Sequence, residues 1–172
     1  MTLLVGPLDA VHAMATREPP ARVVSLLSPE LEPPRLGRDL PHLVLRFHDI
    51  DGPREGLTPP DAAAIDALVA FADAWREPGP MIVHCWMGIS RSTAAALILA
   101  AAADPDRSED DAARALRATA AFATPNPLMI ALADARLERG GRLIAAVEAI
   151  GRGTSAAKGW PFRLPVRTQR NP

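Results

Sequence analysis

The sequence predicts an α/β domain with a mostly parallel central sheet flanked by helices. Short apolar runs of strand character lie in its first half and helical runs dominate its second half. Residues 81–103, MIVHCWMGISRSTAAALILAAAA, join a buried strand to an apolar helix through one tight loop. A strand that feeds a helix in this way belongs to a right-handed crossover between parallel strands.

The elements follow in order. Residues 2–8 form an apolar strand closed by Gly6-Pro7, and residues 9–18 form a helix with Asp9 at its cap. Pro19-Pro20 stops that helix before the strand 22–27, RVVSLL. A Pro-rich loop leads to HLVLRFH at 42–48, where Leu43, Leu45 and Phe47 fall on one face by period two. The loop 49–60, DIDGPREGLTPP, is polar and rich in Gly and Pro. A helix follows, with Thr58 as its cap, Pro59 at its first position and Ile65, Leu68, Val69, Ala72 and Trp75 at helical spacing. Pro80 introduces the strand Met81 to Val83, and the helix opening near Arg91 is apolar on nearly every side. Ser108 caps a helix with an acidic first turn, Asn126 caps one opening at Pro127, and Gly140-Gly141 precedes a last helix over 142–150.

Residues 1–150 therefore read as one domain, and 151–172 as a flexible tail. The tail holds Arg152, Lys158, Arg163, Arg167 and Arg170 and no acid. The 172 residues carry a formal charge of −1, which gives no global reason to bind nucleic acid or an anionic membrane. The apolar run at 94–103 is too short to span a bilayer, and residues 1–20 lack the pattern of a signal peptide. These features lead to the expectation of a cytoplasmic protein. One cysteine excludes an internal disulfide and a Cys-based metal site.

The loop 84–92 carries the chemistry. A helix N-terminus at its end leaves backbone N–H groups unpaired and adds the positive end of a dipole, which together favour an anion. Cys85 opens the loop as a nucleophile, and Arg91 closes it with a planar fork suited to two phosphate oxygens. Gly88 stands where a left-handed turn or a close backbone approach excludes a side chain. Ser92 offers a hydroxyl to the sulfur as it leaves.

His84-Cys85-Trp86-Met87-Gly88-Ile89-Ser90-Arg91-Ser92 resembles the signature H-C-x-x-G-x-x-R-[ST] of cysteine-dependent protein-tyrosine and dual-specificity phosphatases. Every fixed position of the pattern is met. The resemblance implies a dual-specificity-phosphatase-like fold and a phosphocysteine intermediate formed without metal or other cofactor. It places the phosphate against Trp86, Met87, Gly88, Ile89, Ser90 and Arg91, and gives His84 a supporting role. It also implies a general acid on a loop roughly thirty residues before the nucleophile. Asp49 and Asp51, at 36 and 34 residues upstream, both fit; Asp49 is preferred because it directly follows a strand. Pro125-Asn126 is similar to the Pro-Asn helix start of those enzymes, although a bare cap explains Asn126 equally well. The implied substrates are phosphorylated proteins or small phosphomonoesters, with phosphotyrosine ahead of phosphoserine and phosphothreonine. Two alternatives stay open: a phosphate-binding module without turnover, and a rhodanese-like sulfurtransferase.

Overall fold

The structure, a computed structural model, describes residues 1–37 and 39–166. Five strands form one sheet in the order β3-β2-β4-β1-β5. They are β1 (Thr2–Pro7), β2 (Arg22–Leu27), β3 (His42–Arg46), β4 (Met81–Cys85) and β5 (Phe162–Pro165). The first four are parallel to one another, and β5 runs antiparallel to β1 along the edge. The expected mostly parallel sheet is present.

Side-chain alternation divides the strands between two unequal layers. Leu3, Val5, Val24, Leu26, Met81 and Val83 face the larger core. That core is shared with α2 (Ala62–Asp73), α3 (Arg91–Ala103), α4 (Glu109–Thr119), α5 (Pro127–Arg136) and α6 (Arg142–Ile150). Leu4, Val23 and Ile82 face the other way, where Val11 and Met14 of α1 (Val11–Arg17) cover them. The central helix α3 is buried from Arg91 to Ala101, as its uniformly apolar sequence predicts. Full burial of Leu97, Ile98 and Leu99 contributes roughly 1.5–3 kcal/mol each.

Caps explain where the helices begin. Ser108 accepts from the Asp111 amide to start α4, and Asn126 accepts from the Met129 amide to start α5. Asp134, buried in α5, accepts from Gly141 and Leu143 and so caps α6 from outside. Two start sites differ from expectation. Asp61, not Thr58, caps α2 by accepting from Ala64, because His48 takes both backbone groups of Thr58 into a loop contact. Asp9 caps nothing: it lies in a short 3-10 turn, Leu8–Ala10, ahead of α1 and pairs with Lys158.

The flexible tail expected from residue 151 is a further correction, for residues 151–166. Phe162, Leu164 and Val166 are buried, and β5 pairs with β1 from Thr2↔Pro165 to Val5↔Phe162. Arg163 pairs with Glu18. Arg167 and Arg170 lie outside the described residues. No helix among the described residues is long and apolar enough to cross a membrane.

Candidate active site

The loop 86–90 leaves the C-terminal end of β4 and turns into α3, beside the ends of β1, β2 and β3. Cys85 is 2% exposed at its base. The Gly88 amide donates to Sγ at 3.2 Å, and Ser92 Oγ lies 3.2 Å from Sγ. A thiolate at this position accepts from both groups, so the expected Ser92–sulfur contact is formed. Gly88 has φ +72°, and a Cβ there would stand 2.6 Å from the backbone nitrogen of Pro7. Left-handed backbone and close packing on β1 both require glycine.

Three loop carbonyls are held outward. Trp86 O accepts from Leu8, Met87 O from Gly159 and Ile89 O from Thr124. A trans peptide unit points its C=O and N–H in opposite directions, so outward carbonyls turn the amides of Met87, Gly88 and Ser90 toward the loop's interior. The end of α3 adds to this. Ser90 stands at its N-cap position but makes no side-chain cap, in contrast to Ser108 and Asn126. The amides of its first turn keep their donor capacity for an anion.

Arg91 lies 3% exposed against the neighbouring strands. Nη1 donates to the carbonyl of Phe47 at 2.7 Å and to Ser28 Oγ at 3.3 Å, while the buried Nε has no partner. A buried unpartnered donor costs about 1–3 kcal/mol, which an anionic oxygen in the loop would recover. One edge of the guanidinium is thus anchored and another is left for a ligand. His84 is fully buried on the opposite, α1-covered face. Its Nε2 lies 2.6 Å from Ser25 Oγ, which lies 2.8 Å from His42 Nε2. Burial pushes the His84 pKa down to about 4, so the ring is neutral at neutral pH.

The two candidate acids separate clearly. Asp49 Oδ1 accepts from Ser90 Oγ at 2.7 Å, within the loop, and from Asn126 Nδ2 at 2.9 Å. Asn126 Nδ2 also donates to the Ile50 carbonyl, while its Oδ1 caps α5. Asp51 instead pairs with Arg54 at 3.3 Å, both side chains facing solvent. Cys85, Arg91, Ser92 and Asp49 therefore meet around one loop, and Asp51 stands outside that set. Trp86 is 56% exposed, Met87 and Ile89 are partly buried, and the Trp86 carbonyl bonds the Leu8 amide on the outside of the loop. A cleft of about 530 Å³ extends from Asp49 and Ser90 between Arg54 and Arg152.

Sequence reasoning missed Ser28, the second function of Asn126, and Ser25 beneath His84. The Pro-Asn start was the one visible signal, and it read as a cap because capping is half of what Asn126 does.

No protein-family model matches the chain, and no curated protein matches it in sequence. Its three-dimensional form does match solved structures. The phosphatase domain of Yvh1 from Chaetomium thermophilum superposes with a TM-score of 0.59 at 20% identity, over 82% of this chain and 93% of that one. This is the dual-specificity phosphatase fold. Human DUSP28 is similar at a TM-score of 0.59 and 22% identity, over 80% of this chain and 88% of its own. The human tyrosine phosphatase-like serine/threonine/tyrosine-interacting protein reaches 0.62 at 16% identity, over 80% and 92%. In this dual-specificity phosphatase fold the His84-Cys85 to Arg91 spacing forms a cysteine-phosphatase-like site. Among the described residues no group of three His, Cys, Asp or Glu side chains is placed to hold a metal ion.

Proposed function

We propose that the protein hydrolyses phosphate monoesters through a phosphocysteine intermediate. The observation that carries the proposal is one loop that sets the Gly88 amide and the Ser92 hydroxyl at Cys85 Sγ and ends on an uncapped α3 whose first residue, Arg91, keeps a buried Nε without a partner. A dianionic phosphate matches those donors in charge and geometry.

In the first step the Cys85 thiolate attacks phosphorus and the bond to the ester oxygen breaks. Asp49, held beside the loop by Ser90 and Asn126, delivers a proton to the departing oxygen. Arg91 and the loop amides hold the three equatorial oxygens as charge spreads over them. In the second step Asp49 takes a proton from water, the water oxygen bonds to phosphorus, and the S–P bond breaks. Ser92 donates to the sulfur as it leaves, and inorganic phosphate is released.

Phosphotyrosine in a protein is the leading substrate, with phosphoserine and phosphothreonine within reach of an open mouth. The loop positions 86, 87, 89 and 90 carry no Lys or Arg, which disfavours a highly charged headgroup. A reducing compartment such as the cytoplasm suits an enzyme whose single cysteine is its nucleophile.

Hydrolysis of p-nitrophenyl phosphate from about pH 4.5 to 8, wild type beside Cys85→Ser, tests this. A bell-shaped profile with its optimum near about pH 5 to 6.5, absent in the variant, is the expected result. Binding of phosphate without turnover in the wild type would replace the phosphatase with a binding module.

A further inference from the structure

Residues 153–160 pass along the outside of the phosphate loop and are fixed at both ends. Thr154 donates to Ala121 O at 2.9 Å, and Gly153 to Thr124 Oγ1 at 3.2 Å. At the far end Lys158 Nζ meets Asp9 Oδ2 at 2.5 Å, and the Trp160 ring packs edge-on to Phe122 with centroids 4.4 Å apart. Between these anchors the Gly159 amide donates to Met87 O at 2.9 Å. Glycine is required there, because a Cβ would stand 2.7 Å from Gly88 O and 2.5 Å from Phe122 Cε2.

Met87 O and the Gly88 amide belong to one planar peptide unit and point in opposite directions. The outer end of that unit is bound to Gly159, and its inner end donates to Cys85 Sγ. Rotating the unit breaks both bonds together. We propose that Gly159 is a positioning residue for phosphate transfer: its amide locks the Met87–Gly88 peptide so that the Gly88 N–H faces the nucleophile and the bound oxyanion. The inference rests on the phosphatase reading for its catalytic consequence and on geometry alone for its effect on anion binding.

Gly159→Ala tests it, with Phe122→Leu and the double variant beside it. Leucine removes the ring atom that a new Cβ would meet and leaves the collision with Gly88 O. Tungstate affinity by calorimetry, kcat with p-nitrophenyl phosphate and thermal stability are read on all four proteins. Phe122→Leu alone, which loses the Trp160 ring contact but keeps the Gly159–Met87 bond and the Lys158–Asp9 pair, is expected to lower stability while holding kcat and tungstate affinity near wild type. Gly159→Ala is expected to weaken tungstate binding and to lower kcat by about tenfold or more, less than the roughly 10²–10³-fold of deleting an oxyanion donor because the Gly88 amide is displaced and not removed. The double variant should regain stability and stay impaired in both. Should Gly159→Ala fail to fold, the double variant is the one read. Recovery of kcat and tungstate affinity together with stability would overturn the proposal, leaving Gly159 a packing residue only. Tungstate binding needs no turnover, so a wild type that binds tungstate and hydrolyses nothing would sink the phosphatase and leave this inference standing.

Discussion

Ser25 Oγ lies 2.6 Å from His84 Nε2 in the interior of the sheet, one residue before the nucleophile. Period-two alternation puts both side chains on the face opposite Cys85, together with His42. Burial lowers the pKa of His84 to about 4, from 6.5, and His42 is lowered for the same reason. Between those values the unfolded chain binds more protons than the folded one. The stability from a neutral His84 is therefore complete above about pH 6.5 and is lost as pH falls toward about 4, some 3 kcal/mol in all. Thermal denaturation across that range should show a shallower pH slope for His84→Asn than for wild type. Equal slopes would mean that His84 is not held neutral. Ser25→Ala, which leaves two ring nitrogens without a partner, should cost about 1–3 kcal/mol.

Arg91 combines an anchored edge with a free one. Arg91→Lys keeps the charge but loses the planar fork that can stay bonded to Phe47 O through one edge while presenting another to phosphate oxygens. Its kcat should fall about 10²–10³-fold, as when a transition-state donor is lost. Near-normal turnover in this variant would remove Arg91 from the phosphate site.

Asp49 and Asp51 should respond differently to amidation. Asp49→Asn is expected to slow hydrolysis about 10²-fold or more with an alkyl phosphate and less with p-nitrophenyl phosphate, whose better leaving group depends less on a proton. Asp51→Asn should stay within about twofold, since it disrupts only an exposed pair with Arg54. Indistinguishable profiles for the two variants would end the assignment of the acid to Asp49.

Asn126→Ala should show two separable losses. Removing the α5 cap costs about 1 kcal/mol of stability. Freeing Asp49 should, in addition, lower kcat with alkyl phosphates at temperatures where the variant is fully folded. Asn126→Asp retains a capping oxygen but places a second carboxylate beside Asp49, so it should keep stability near neutral pH better than it keeps activity. A rate loss in Asn126→Ala fully explained by unfolding would make Asn126 a cap and nothing more.

Gly88→Ala joins a left-handed backbone, costing about 1–2 kcal/mol, to a Cβ 2.6 Å from the Pro7 nitrogen. The variant should lose both activity and several degrees of thermal stability. A stable, active Gly88→Ala would show that the loop can be rebuilt at this point.

The catalytic loop was legible because its parts are contiguous. Strand, cysteine, glycine, arginine and helix follow one another, so spacing alone carries the geometry. Asp49 was legible as one of two acids; the choice between them depends on Ser90 and Asn126, which lie 41 and 77 residues away. The α2 cap was misplaced because Thr58 and Asp61 are both good caps, and a contact from His48 decided between them. β5 was hidden by composition: Pro161 and Pro165 bracket Phe162, Arg163 and Leu164, which looks like a loop. At a sheet edge those prolines cost little, since one side of the strand needs no donors. The alternation of Phe162, Leu164 and Val166 was present, but too short to outweigh basic, Gly- and Pro-rich surroundings.

The bond from Gly159 to Met87 also orders events during synthesis. Ribosomes add about 5–20 residues per second, so α3 emerges seconds before residue 159 does. Until then β1 has no neighbour on its outer edge and Met87 O has no donor from Gly159. A nascent chain can bring the nucleophile, the arginine and much of the core together, but its phosphate loop is completed only by residues made after α6. Such an order would keep the growing chain from acting on phosphate esters before its sheet is closed.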